Sequence, residues 1–141
     1  MVPFDGSGFS HKAFEKGLEI AEKFESRLIA LTVIQSKLSD STGISLERLE
    51  EIQDEEDDDA TIMLKKLEGK AKAQNIDFSM EIIRNPSTSD GIVNFADSKN
   101  VDLIVMGSHG RTGFRKLVLG SVANDVLGHA KCPVLITKGT T

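Results

Sequence analysis

The chain has 141 residues, a length at which one domain can bury an ordinary core without disulfides or metals. Hydrophobic residues are 39% and charged residues 28%, the balance of a soluble globular protein; a single cysteine excludes an internal disulfide and a cysteine-built zinc site, and seven Phe with no Trp or Tyr leave few platforms for stacking bases. The formal charge of −5 is concentrated, because segment 45–59 holds nine acids and one arginine, a net of −8, which leaves +3 for the rest and no polybasic face for nucleic acid.

The opening MVPF is a short apolar run that ends in the turn cluster DGSGFS. It lacks the regions of a signal peptide, and no apolar stretch reaches the roughly 18 residues that span a bilayer, so the expected location is the cytoplasm. Ser10 is placed to cap a helix whose apolar positions Ala13, Phe14, Gly17, Leu18, Ala21 and Phe24 recur at helical spacing. RLIALTVI, 27–34, is a branched apolar run of strand length, of the kind buried on both faces in parallel sheets. Residues 35–44 are small and polar, a loop. A long helix is expected from about Ser45 to Gln74, with the acidic cluster as the place where it would break; Ile62, Leu64, Leu67, Ala71 and Ala73 give its second half an apolar side. IDFSMEII, 76–83, alternates as a strand does, and RNPSTSD is a loop from which Asp90 caps a helix through Lys99. VDLIVM, 101–106, reads as a buried strand, SVANDVLGHA, 121–130, as a helix, and CPVLITK, 132–138, as a last strand.

Strands alternating with helices predict an α/β domain over 1–141, with a single five-stranded parallel sheet flanked by helices on both faces. Ligands of such sheets sit beyond the carboxyl ends of the strands, near the point where strand order reverses. Two loops fall at such ends: DGSGFS, and GSHGRTGFRKLVLGS at 107–121. In the second, glycines let backbone N–H groups converge on an anion, the following helix N-terminus adds partial positive charge, and Arg111, Arg115 and Lys116 tilt the field the same way. Glycines at a strand-to-helix turn also serve tight turning alone, and the chemistry by itself does not separate the two readings.

The pattern Gly107, two residues, Gly110, nine residues, Gly120-Ser121, preceded by DLIVMGSHGRTG and followed by CPVLITK, resembles the signature of the ATP-binding branch of the universal stress proteins. VPFDGSGFSHKAFEKGLEIA resembles that family's opening and LIALTVI its second strand, so the likeness covers nearly the whole chain. The resemblance implies a Rossmann-like, adenine-nucleotide alpha-hydrolase-like fold that binds ATP. It implies that Asp5, beside Pro3, contacts the adenosine, that the backbone of Val33 meets the adenine edge, and that Met106 and Gly107 line the cleft. By the same likeness Gly110, Gly120 and Ser121, joined by the amide of Val122, cradle the triphosphate. A divalent ion, Mg²⁺ or Mn²⁺, is implied through the phosphates, with no protein ligand assigned. A homodimer paired through the C-terminal strand is expected, because an apolar edge strand needs a partner. The chain departs from the family where apolar residues before VPFDGS are missing, which predicts a short first strand. The acidic segment, about 35–60, falls in the family's variable stretch and inherits no role.

Simpler readings stand beside these. Asp5 also fits a turn cap, His109 an exposed loop, and His11 and His129 the surface. Cys132 fits a partly buried small residue, and DEEDDD, 54–59, a solvated helix or loop rather than a cation site. The leading function is a cytoplasmic ATP-binding stress or signalling protein whose bound state is read by an unidentified protein partner. One alternative is a slow ATP hydrolase or nucleotidyl-transfer enzyme: the loop cations suit it, but no carboxylate lies in the loop and the P-loop pattern is absent, so no catalytic residue is assigned. The other is a nucleotide-free interaction module, against which the intact glycine pattern counts.

Overall fold

Five strands and four helices alternate along the described residues of a computed structural model, which are 1–36, 43–112 and 119–139. In chain order they are β1 (Val2–Pro3), α1 (Gly8–Phe24), β2 (Leu28–Gln35), α2 (Leu46–Ala73), β3 (Phe78–Asn85), α3 (Thr88–Ser98), β4 (Ile104–Gly107), α4 (Ser121–His129) and β5 (Val134–Thr137). Every pairing is parallel, as the alternation predicts.

The single five-stranded sheet is not formed. The strands make a three-stranded sheet, β1-β2-β3, and a two-stranded sheet, β4-β5. The two residues of β1 pair with β2, Val2 with Ala30 and Pro3 with Leu31, and the link to β4 is made by the residue before them. What joins the sheets is a pair of bonds at Met1, whose carbonyl accepts from Val105 N–H at 2.9 Å and whose ammonium donates to Leu103 O at 2.8 Å.

Alternation along the strands divides the core in two. Val2, Ala30 and Val105 face α1 and α2 and pack with Phe14, Leu18, Leu64 and Leu67. Their chain neighbours Met1, Leu31, Ile104 and Met106 face the other way, onto Ile92 and Phe95 of α3 and Val126 of α4. Gly17 lets α1 lie on this sheet, since a Cβ there would stand 2.8 Å from Val2 Cγ2.

The caps of two helices correct the expected starts. Ser7, not Ser10, caps α1: its hydroxyl accepts from Ser10 N–H at 3.1 Å, and Ser10 is buried with its own hydroxyl donating to Ser7 O. Ser87, not Asp90, caps α3, by accepting from Asp90 N–H at 3.3 Å. Phe24 is 75% exposed and outside the core, because α1 ends there at a left-handed Glu25. The acidic cluster does not interrupt α2. Ser45 caps it, acid at Glu47 and base at Lys70 and Lys72 suit its dipole, and its buried anchors are Ala60, Leu64, Leu67 and Ala71. Ile62 lies off that stripe and is 57% exposed.

Candidate functional site

The β1–β4 divide is where strand order reverses, with β2 and β3 on one side and β5 on the other. Beyond the carboxyl ends of the strands at this divide lies a cavity of about 1010 Å³, which is at the upper end of the range for small-molecule sites. All nine residues named from sequence line it: Pro3 and Asp5 at the end of β1, Val33 on β2, Met106 and Gly107 on β4, Gly110 in the loop after it, and Gly120, Ser121 and Val122 where α4 begins. Arg115 and Lys116 lie outside the described residues.

Asp5 is held by backbone donors from both loops. Ser7 N–H donates to Oδ1 at 2.9 Å and Arg111 N–H donates to Oδ2 at 3.1 Å. The Arg111 side chain turns back over the same residue: its Nε donates to the Asp5 carbonyl, and its Nη2 lies 3.8 Å from Met63 Sδ of α2. Gly6 sits beneath this contact at φ 80°, where a Cβ would also press to 2.9 Å from the Met63 sulfur. The sequence places no carboxylate in the glycine loop, yet the fold brings one there: a Cβ at Gly110 would lie 2.9 Å from Asp5 Oδ2.

The start of α4 offers donors to the cavity. Gly120 is its N-cap and provides no side-chain cap. The Gly120 N–H is taken by Ser108 O at 2.7 Å, and its carbonyl accepts from Asn124 N–H at 2.9 Å. The following amides, of Ser121, Val122 and Ala123, have no intrahelical acceptor, and all three residues line the cavity. Gly120 thus shapes the turn through close contact with Ser108, while Ser121 and Val122 present the open donors. His109 is half-buried, not an exposed loop residue: its ring lies 5.3 Å from that of Phe9, and its Nδ1 is 3.0 Å from Ser108 Oγ. Phe9 also presses on Gly107, where a Cβ would come within 2.7 Å of Phe9 Cβ. His11 is exposed but packs edge-on to Phe4, at 4.9 Å between centroids, and His129 is exposed with Nδ1 at 2.8 Å from Asp125 O.

One wall of the cavity was missed from sequence. It comes from α2, as Glu56, Asp59, Ala60, Met63 and Lys66, which at three- and four-residue spacing share a helix face. The only signal was that spacing, and its mixed polarity conceals it from a search for apolar stripes. Glu56 is paired with Arg84 of β3, whose guanidinium is held further above its already high ordinary pKa, chiefly by that hydrogen bond. Among the described residues no three His, Cys, Asp or Glu side chains gather so as to hold a metal ion, and no helix is long and apolar enough to cross a membrane.

The sequence model of the universal stress protein family matches residues 1–138. The universal stress protein MJ0531 of Methanocaldococcus jannaschii is 35% identical over 142 aligned residues, covering 98% of this chain and 80% of that protein. Among solved structures, the hypothetical protein MJ0577 of the same archaeon superposes with a TM-score of 0.83 at 25% identity, covering 99% of this chain and 94% of the other. An Arabidopsis thaliana protein of the family, solved with AMP bound, superposes with a TM-score of 0.71 at 20% identity and covers 100% of this chain and 91% of its own.

Proposed function

The chain belongs to the universal stress protein family, and from that premise we propose that it holds an adenine nucleotide, ATP by preference, in the cavity at the β1–β4 divide. The observation that carries the reading is the set of open amides at Ser121 and Val122 facing a cavity whose opposite side holds Asp5. A helix N-terminus with unsatisfied N–H groups suits a polyphosphate. The adenosine then lies toward Asp5 and Val33, and Mg²⁺ or Mn²⁺ travels with the phosphates. An AMP-bound relative of the same fold supports the choice of an adenine ligand.

Turnover is slow or absent in this reading. Asp5 is the carboxylate that the fold brings against the loop, but both its oxygens accept backbone N–H bonds, from Ser7 and Arg111, so it is committed to holding the two loops together rather than to positioning a water. The bound state is instead a signal in the cytoplasm, read by a protein partner, and the protein acts as a homodimer through the free edge of β5. Native mass spectrometry of freshly purified protein, followed by calorimetric titration with ATP, AMP and adenosine, tests the reading. Retained adenine nucleotide, or ATP binding tighter than adenosine, is expected; no retained nucleotide and no heat with any of the three would overturn it.

A further inference from the structure

The acidic half of α2 is tied to the sheet by one side chain. Arg84 donates from Nη1 to Glu56 Oε2 at 2.9 Å, and from Nη2 to Asp57 Oδ1 at 2.8 Å and to Gln53 O at 2.9 Å. No residue of α2 before Ala60 is fully buried, and only Leu49 and Ile52 are half-buried, so packing holds this stretch weakly. The guanidinium is the better shielded member of each pair, 28% exposed against 46% for Glu56 and 51% for Asp57.

The position of this clasp gives it a bearing on ligand. Arg84 stands at the carboxyl end of β3, in register with Ile34 of β2, and Ile34 itself lines the cavity. Glu56 lines the cavity too, whereas Arg84 does not. The cation thus stands behind the wall and neutralises a carboxylate on the ligand side. Residues 45–59 carry a net charge of −8, and a polyphosphate entering the cavity meets that field.

We propose that Arg84 is a positioning residue for anionic ligands: it helps fix residues 53–57 of α2 as a wall of the cavity and offsets part of the negative charge of Glu56 and Asp57, so that a polyphosphate is admitted. The inference rests on the nucleotide reading above. It separates from a purely mechanical role by its sign. Removing Arg84 breaks the clasp and uncovers negative charge, whereas neutralising its two partners deletes that charge and leaves at least the bond to Gln53 O.

Arg84→Gln, the double variant Glu56→Gln/Asp57→Asn, and the triple variant are titrated with ATP and with neutral adenosine, at low and high salt, after thermal melts establish that each is folded. Arg84→Gln should bind ATP about tenfold more weakly at low salt, with adenosine changed by less than about threefold, because only the anion feels the uncovered charge. Added salt should shrink the ATP defect, since exposed charges are screened beyond about 8 Å at physiological ionic strength. The double variant should bind ATP at least as well as wild type, and the triple should return to within about threefold of it. An Arg84→Gln protein that binds ATP like wild type overturns the proposal, and so does a triple variant as weak as Arg84→Gln. A wild type that binds neither ATP nor adenosine overturns the nucleotide reading and this inference with it, a result distinct from a tight wild type with an indifferent Arg84.

Discussion

The carboxylate of Asp5 and the backbone N–H of Arg111 meet at 3.1 Å across 106 residues of sequence, and this bond closes the loop after β1 onto the loop after β4. With Ser7 N–H on the other oxygen, the carboxylate is oriented before any ligand arrives. Asp5→Asn retains one acceptor oxygen but turns an NH₂ group toward one of the two donors. The loss of a charge-assisted bond is worth about 1.5 kcal/mol at the low end of its range, appropriate for a contact that meets solvent. The melting temperature should fall by roughly 2–4 °C per kcal/mol, and ATP affinity should fall with it. Scanning calorimetry of the ligand-free variant checks the first effect; an unchanged melt would mean that the two loops are not joined by this bond.

Four substitutions around the glycine loop should separate folding from binding. Ser121 is exposed and its hydroxyl makes no described bond, so Ser121→Ala should leave the melt alone while weakening ATP by about ten- to a hundredfold, the value of a bond to a charged oxygen. Gly110→Val and Gly120→Val should weaken ATP at least as much and lower the melt as well. Their added Cβ atoms meet Asp5 Oδ2 at 2.9 Å and Ser108 O at 3.0 Å. His109→Ala should lower the melt through the lost contact with Phe9 and change ATP affinity little. Equal ATP affinity in wild type and Ser121→Ala would remove the hydroxyl from the site, and rapid phosphate release abolished by His109→Ala would turn the reading toward an enzyme.

The sequence reads the loop glycines as bringing backbone to a phosphate, and the close neighbours that the structure gives them belong to the chain itself: Phe9 at Gly107 and Asp5 at Gly110. Helix starts were less legible for a specific reason. The chain has two capping side chains three residues apart at Ser7 and Ser10 and again at Ser87 and Asp90, and in each case the earlier one accepts the N–H of the later. A short β1 was legible in the sequence, whereas the division of the strands into two sheets bridged at Met1 was not. The α2 wall was invisible because Glu56, Asp59, Met63 and Lys66 share a face only once the helix is known to run unbroken through the acids. Arg84 owes its role to a contact 28 residues distant, which no local pattern encodes.

Two neighbouring acids offer a test of charge at the cavity. Asp59 lines it and Asp58 does not, although both are exposed residues of α2. Asp59→Asn should therefore raise ATP affinity a few-fold at low salt, and Asp58→Asn should change it less. High salt should erase the difference, as expected for charges in water. A large loss of affinity in Asp59→Asn would instead give that carboxylate a direct part in holding ligand or its cation.

The free edge of β5 is where a second copy should join. In a parallel ladder the backbone groups of successive residues point to opposite sides of the strand. Pro133 O and Thr137 O accept from Ile104 and Ser108 N–H, so the odd-numbered residues of β5 turn toward β4 and Val134 and Ile136 turn toward the open edge. Leu135 is 38% exposed on the strand surface, the sort of apolar edge that is left uncovered in a monomer only at some risk of aggregation. A two-fold pairing of β5 with its own copy is self-complementary and covers this edge in both copies. Val134→Pro removes an outward N–H while leaving the bonds from β4 to Pro133 and Thr137 in place, so it should yield a folded monomer. Light scattering at tens of micromolar, an order-of-magnitude choice above a micromolar dissociation constant, should show a dimer for wild type and half that mass for the variant. A monomeric wild type, or a dimer that ignores Val134→Pro, would exclude β5 as the contact.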